Sequence, residues 1–346
     1  MSRPRSTAYG AFLRRLRPAL LALSVAPAVL LGGCSAVADD TAGGGAAGRP
    51  TATPPAGRPA PSRSATPRPA ATATPRPAAT ATSRPAGDAR PAAAGATTIV
   101  FVDVGQGDAI IVRSGRVTVL VDGGPPGAAW RVSAQLSRLG VRRLDALLVT
   151  HAHLDHVGAL PALVWQYRPR RAYVAARPGA LTATLRQAGT RLVTLRRGDT
   201  LRWGRARVRV LSPARLSGDL NADSLVVLMQ AAGRRVLLTG DLTGPNEAAV
   251  GAICARGPPV DVLKVAHHGS RYSTTTAFLA GARPRVAVIC VGRNPYGHPS
   301  PDTLARLRAF GVRVYSTQRN GTLTVRLAPG RRPVWRATRT LRPLVP

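Results

Sequence analysis

Hydrophobic and polar positions divide the 346-residue chain into stretches of different kinds. Near the start, an apolar run from Ala19 to Leu31 follows Arg3, Arg5, Arg14, Arg15 and Arg17. The run is too short to span a bilayer stably and ends in small residues, so residues 1–34 read as an export signal. Residues 35–96 consist mainly of Ala, Pro, Thr, Arg and Gly, with no aromatic residue and almost no branched aliphatic one. Such a segment cannot bury a core. Its repeated Ala-Thr-Pro-Arg-Pro-like units favour extended polyproline conformations, as expected of a disordered but semi-rigid spacer.

Regular apolar periodicity begins near residue 97 and continues to about residue 330, and residues 331–346 read as a basic C-terminal tail. The stretch TTIVFVDVGQGDAIIVRSGRVTVLVDGG alternates β-branched runs with Gly-centred turns, which predicts antiparallel hairpins. A helix-period segment at Ala128–Leu139 precedes Leu144–Thr150, a nearly continuous apolar strand of the kind buried on both faces. Further helices are expected at Gly158–Tyr167, Leu181–Ala188 and Asn246–Arg256. Further strands are expected at Arg170–Ala176, Leu192–Leu195, Ala206–Leu211, Ser224–Gln230, Arg235–Thr239, Val260–Val265 and Val286–Val291. Helices and hairpins on two mixed sheets make an α/β fold, an αββα sandwich of two mixed sheets flanked by helices, the expected architecture.

Charge changes this picture. The chain carries a net +34, and after residue 97 there are 37 basic residues against 12 acidic ones, a net +25 on the folded part. An excess of that size is the electrostatic footprint of a polyanion partner, of which nucleic acid is the commonest. Lys264 is the only lysine, as a GC-rich coding bias would favour, but such a bias explains less well why Glu247 is the only glutamate. The seven arginines of the spacer could instead lie on anionic head groups. Cys254 and Cys290 fall in helix-like and apolar stretches and read as buried free thiols.

The histidines bring in the chemistry. All six fall in three short motifs: His151, His153 and His156 in THAHLDHVG, His267 and His268 in KVAHHGS, and His298 in YGHPSP. Neutral imidazole is the commonest protein metal ligand. A His-x-His-x-Asp-His run offers four donors within six residues, enough to begin two adjacent metal sites.

These motifs carry a resemblance. In order, DVGQGDA at Asp103–Ala109, THAHLDHVG at Thr150–Gly158, TGD at Thr239–Asp241, and KVAHHGS at Lys264–Ser270 followed by YGHPSP resemble the metallo-β-lactamase superfamily, and within it the hydrolase domain of ComEC competence proteins. The match covers roughly residues 97–330 and looks like a freestanding version of that domain. Separately, Leu31-Gly32-Gly33-Cys34 resembles the lipobox of bacterial lipoproteins, in which cleavage leaves Cys34 as a lipidated N-terminus.

The resemblance implies two divalent metal ions, Mn2+ or Zn2+, with a metal-bound hydroxide as nucleophile. His151 and His153 would face one ion, Asp155 and His156 the other, and Asp241 would bridge them. Asp155 could also orient the nucleophile. One of the adjacent pair His267 and His268, with His268 favoured, would complete the set of ligands of the second ion and leave the other near the substrate phosphate. The third histidine of the first site is missing. In the matching stretch Asn221-Ala222-Asp223-Ser224, Asp223 either supplies an oxygen or belongs to a turn, and more oxygen donors shift preference towards Mn2+. Asp122 is placed to accept a proton from a ligand imidazole and fix its tautomer. Asp103 and Asp108 flank a Gly-Gln-Gly turn that either approaches the metals or is purely structural. Ser270 and Lys264 are expected at the substrate phosphate, Lys264 alternatively snorkelling from its strand. His298 is expected to protonate the leaving oxygen as general acid, with a satisfied loop histidine as the rival reading.

Together these readings describe a metal-dependent phosphodiesterase or nuclease acting on nucleic acid, with DNA the favoured substrate. It would be exported and held by a lipid anchor at Cys34 on the outer face of a bacterial cytoplasmic membrane, with a DNA-channel protein as a candidate partner. The rival readings are a hydrolase of a phosphocholine ester, lactone or β-lactam, and a non-catalytic DNA-binding lipoprotein.

Overall fold

Apolar residues continue without alternation through the first strands because both faces of those strands are buried. The computed structural model describes residues 95–345, so the export signal, Cys34 and nearly all of the spacer lie outside the described residues. Strands β1 (Thr97–Phe101), β2 (Ile110–Ser114), β3 (Val117–Val121), β4 (Ala146–Val149), β5 (Arg171–Val174) and β6 (Arg191–Thr194) lie side by side in one sheet. The first three are antiparallel hairpins. From β3 to β6 the pairing is parallel. Parallel strands need crossovers, supplied by α1 (Ala129–Arg138), by the short α2 (Leu154–Val157) with α3 (Leu160–Tyr167), and by α4 (Leu181–Gln187).

The second sheet repeats this plan. It contains β7 (Thr200–Trp203), β8 (Ala206–Ser212), β9 (Val226–Ala231), β10 (Arg234–Leu238), β11 (Val262–Lys264), β12 (Val286–Ile289) and β13 (Arg313–Ser316). Pairing is antiparallel from β7 to β10 and parallel from β10 to β13. The crossovers are α5 (Pro245–Ala255), α6 (Thr276–Ala282) and α7 (Pro301–Ala309). After α8 (Thr317–Asn320) the chain returns to the first sheet as β14 (Leu323–Leu327) and β15 (Val334–Ala337), with β14 antiparallel to β1.

Three apolar layers follow from the two-residue strand repeat. Ile99 and Phe101 point between the sheets, towards Val208, Met229 and Val236. Their neighbours Val100 and Val102 pack beneath Val132, Leu136, Leu163 and Val164 of α1 and α3. Phe278, Leu279 and Leu307 of α6 and α7 cover Leu237, Leu263 and Ile289 of the second sheet. Each such fully buried side chain contributes roughly 1.5–3 kcal/mol. The architecture is the αββα sandwich expected from the sequence.

Residues 331–346, expected as a tail, contribute an edge strand instead. Val334–Ala337 pair with β14, and Trp335 stacks on Tyr315 with ring centroids 5.6 Å apart. The strand escapes sequence reading because its residues are only half-buried or exposed and lie among arginines. Sequence periodicity likewise does not mark β7, β13, β14 or α6–α8, all of nine residues or fewer.

Candidate metal centre

The C-terminal ends of the parallel strands of both sheets deliver the titratable residues to one place. Asp122 follows β3 with a φ of +55°, a region that non-glycine residues rarely adopt. Its amide donates to the Leu148 carbonyl at 2.9 Å, and its carboxylate accepts from the Thr150 amide at 2.9 Å and the Thr150 hydroxyl at 2.6 Å. This network braces the strand that runs into His151. In the second sheet, β10 leads to Asp241, whose amide donates to Ser224 Oγ at 3.1 Å, and β11 leads into a tight turn at Ala266–Gly269. There both His267 and His268 have left-handed backbone, at φ +49° and +53°. Each such residue costs on the order of 1–2 kcal/mol, and strain of this kind is concentrated at functional sites.

Gly107 shows why the DVGQGD motif carries glycine. Its φ is +129°, and a Cβ there would lie 2.1 Å from the carbonyl oxygen of Asp155. Only glycine lets the β1–β2 loop press against the His-Asp loop, where the Asp108 amide donates to that same oxygen at 3.1 Å.

Asp155, His156, Asp241 and His268 present donor atoms all within 4.8 Å of one another. His156 Nε2 lies 3.2 Å from Asp241 Oδ1 and 3.3 Å from His268 Nε2. His268 Nε2 lies 3.1 Å from Asp155 Oδ2 and 3.3 Å from Asp241 Oδ2. A tetrahedral site with bonds of about 2.0 Å has donor–donor edges of about 3.3 Å, so this spacing fits a divalent cation. The other ring nitrogens are engaged elsewhere, His156 Nδ1 with Asp122 Oδ2 at 2.8 Å and His268 Nδ1 with the Cys290 carbonyl at 2.7 Å. Donation from Nδ1 leaves each Nε2 lone pair facing the cluster. On the other side of Asp241, His151 Nε2 lies 3.1 Å from His153 Nδ1 and 3.9 Å from Asp241 Oδ2. His267 Nε2 is also 3.9 Å from Asp241 Oδ2. Asp241 thus faces both groups of donors.

Electrostatics supports the same fit. Burial opposes ionisation of Asp241, but the charges of His268, His156 and Lys264 outweigh it and hold the carboxyl well below its usual range. Burial likewise opposes charge on His156, and Asp241 and Asp122 outweigh it, raising that imidazole well above its usual value. His268 is pushed up to about 9 by Asp241 and Asp155 against its burial. His151 is held well below its usual value by burial and by His156. Protons on His156 and His268 therefore answer the buried carboxylates, and divalent cations can take over that role by displacing them.

Several residues expected at the site are placed elsewhere. Lys264 is fully buried and reaches no substrate surface: Nζ lies 2.6 Å from Asp108 Oδ2, donates to the Gly240 carbonyl at 2.9 Å and lies 3.5 Å from Asp241. The two carboxylates hold it charged against burial, which alone would lower its pKa. Asp103 is not part of the His-Asp cluster. Its carboxylate pairs with Arg339 at 2.9 Å and its amide donates to Thr322, fastening the loop to the C-terminal segment. The inward acid of that motif is Asp108, buried 3.6 Å from His268 Nδ1 and 4.0 Å from His156 Nδ1. The available signal was Gly107 immediately before it.

Asp223 belongs to a turn, its oxygens accepting from the Ser217 amide and hydroxyl and from the Gly218 amide at 2.8–3.0 Å. Ser270 is buried beneath the His267–His268 turn, and its carbonyl accepts from the Thr303 hydroxyl at 2.8 Å. His298 does stand at the rim, its ring 5.5 Å from that of His267 and 5.7 Å from that of Tyr296. Burial, together with His267 and His268, lowers its pKa to about 4. A ring neutral at pH 7 can donate a hydrogen bond.

Comparison with known proteins agrees with this geometry. The ComE operon protein 3 of Bacillus subtilis (strain 168) is 31% identical over 262 residues, covering 68% of this chain and 34% of that protein. The competence protein ComA of Neisseria gonorrhoeae is 31% identical over 231 residues, covering 66% and 32%. Recombination protein 2 of Haemophilus influenzae is 30% identical over 238 residues, covering 65% and 28%. The chain spans about a third of the length of these curated relatives. The model of the metallo-beta-lactamase superfamily matches residues 102–293, more than half of the sequence and every histidine motif except His298, and the chain belongs to that superfamily.

Proposed function

We propose that this chain is a metal-dependent phosphodiesterase that hydrolyses nucleic acid, DNA foremost, outside the cytoplasmic membrane. The observation that carries the reading is the buried His-Asp cluster opening on a domain of net charge +25. Names of the relatives that refer to competence and recombination support DNA as the polymer.

His151, His153 and Asp241 would hold one cation, and Asp155, His156, His268 and Asp241 the other. When bound, such a pair of divalent cations, Mn2+ or Zn2+, neutralises phosphodiester charge and lowers the pKa of a water molecule towards 7. Asp122, acting through His156 Nδ1, keeps Nε2 directed inward. Asp155 is the cluster carboxylate most open to solvent, with Oδ2 turned to His268. Its Oδ1 accepts the hydrogen bond of the attacking water and orients it. His298 donates a hydrogen bond as a neutral imidazole to a phosphate oxygen, and the exposed rings of Tyr272 and Tyr296 offer stacking faces for unpaired bases.

Residues 97–330 form the hydrolase domain in this reading, and 35–96 space it from a lipid anchor at Cys34, on the outer face of the cytoplasmic membrane and within reach of a DNA-channel partner. Cys34→Ala should move the protein from the detergent phase to the aqueous phase of an extraction. The catalytic reading is tested by incubating purified protein, with Mn2+, Zn2+ or chelator, with single- and double-stranded DNA, RNA, bis(p-nitrophenyl) phosphate and a chromogenic cephalosporin. Metal-dependent cleavage of DNA is expected. Binding should weaken with salt by about 0.7 (single strands) or 0.9 (duplex) in log–log slope per neutralised phosphate. Intact DNA and RNA alongside salt-insensitive hydrolysis of the cephalosporin would overturn it.

A further inference from the structure

A cavity of about 650 Å3 lies away from the metal centre, on the outer face of β7–β9 beside the end of α5. Five arginines line it, Arg202, Arg207, Arg209, Arg235 and Arg256, and no acidic residue does. Two features set it apart from a surface that is basic merely through composition. First, Arg235 is only 7% exposed, and its Nε and Nη1 find no hydrogen-bond partner among the described residues. Burying an unanswered cation is costly. Second, the register of β7 and β8 places Arg202 directly opposite Arg207. Like charges facing each other across a strand pair are destabilising. The charge of an anion in the groove offsets both costs.

A second cavity of about 390 Å3 shares Arg207 and Arg235 with the first and adds Arg205 and Arg234, so the basic lining continues beyond the reach of one phosphate. It is closed electrostatically where Arg234 pairs with Asp261 at 3.1 Å. Leu228, Ile253 and Pro258 provide an apolar floor on which a base can rest.

We infer that this groove binds the backbone of single-stranded nucleic acid at a site separate from the metal centre. The inference rests on the proposed function in taking nucleic acid as the ligand. Charge and shape favour this occupant over others. One phosphate monoester carries too little charge to answer five arginines. A flat lipid surface reaches the exposed arginines but not the recessed Arg235. The chain's own spacer is itself arginine-rich and is repelled. In an unpaired strand the bases are free to meet the apolar floor while guanidinium groups grip the phosphates in bidentate fashion.

The test is binding of a fluorescent oligothymidylate, read by anisotropy in chelator, by the whole protein and its Arg202→Ala/Arg207→Ala variant. Affinity should fall at least tenfold in the variant. The salt dependence should lose about 0.7 in log–log slope for each phosphate contact removed. Because the double substitution removes a repulsion, the thermal midpoint should hold or rise, whereas a merely structural role would lower it. Arg235→Lys, which keeps the charge but loses the planar fork, should weaken the oligonucleotide more than inorganic phosphate. Wild-type affinity in the double variant overturns the inference, as does a loss confined to phosphatidylglycerol vesicles. If the variant loses the oligonucleotide while the metal-loaded wild type cleaves no nucleic acid, the proposed function fails and the groove stands.

Discussion

Strand β10 ends in two opposite electrostatic situations. Just past its C-terminal end, Asp241 is surrounded by His156, His268 and Lys264, so that every buried charge there has a counterpart. Near its start, Arg235 is buried with two guanidinium nitrogens unanswered, in a groove that holds four more arginines and no acid. Six residue steps separate them, at most about 20 Å along the chain. The balanced end can accept cations only by giving up protons. The unbalanced end can be relieved only by an anion. One chain thus separates the place where phosphodiester chemistry is expected from a place suited to grip the backbone.

The largest test of that contrast is Asp241→Asn, which removes the carboxylate shared by both donor groups. Metal content, measured by elemental analysis, should fall, and turnover should drop on the order of 10³-fold, while oligothymidylate affinity in chelator stays unchanged. Retention of both metals would break the comparison at its stronger end. Next in size is Lys264→Met, which leaves Asp108 and Asp241 without their buried cation. Breaking a buried pair typically costs about 3–5 kcal/mol, to be read from urea unfolding of the metal-free protein at pH 7. A cost close to that of a surface substitution would mean the cluster is not balanced as described.

The pH dependence sharpens the same point. His268, raised to about 9, and His156, also raised, contribute stability to the metal-free protein that is complete below the unfolded imidazole value and is lost as pH rises through the folded values. Metal binding displaces those protons, so apparent affinity should increase with pH, by about tenfold per unit for each proton released. Competition titrations between pH 6.5 and 8.5 that show flat affinity would count against it. The smallest effect is expected from Arg339→Ala. Its own side chain is more than half exposed in the ion pair with Asp103, and pairs open to solvent are worth about 0.2–1 kcal/mol. Thermal melting should barely separate this variant from wild type, in contrast to Lys264→Met.

Much of the fold was legible because its signals are local. Alternation and apolar runs mark strands buried on both faces, and the β-hairpins before α1 follow from Gly-centred turns. Short elements late in the chain were not legible. β14 acquires its place by pairing with β1, more than two hundred residues earlier, and β15 by pairing with β14, and nothing in Val334–Ala337 records that partner. At the candidate site, donor types and their motifs could be read directly. The fate of individual residues was harder to read: Ser270 and Asp223 have suitable chemistry in suitable motifs, yet burial removes one from the surface and a turn claims the other.

By itself the sequence determined which donors the protein possesses, that they cluster at strand ends, and that the folded part is strongly cationic, because residue type and short spacing are properties of the covalent chain. Only the tertiary structure decided that His268 and Asp108 turn inward while His267 keeps a quarter of its side chain exposed and Asp103 pairs with Arg339. It alone set Lys264 against two carboxylates and Arg202 opposite Arg207. The physical reason is that inward or outward direction depends on backbone handedness and strand register, and the partners involved are far apart in sequence. His156 and His268, separated by 112 positions, come within 3.3 Å only when both sheets have closed.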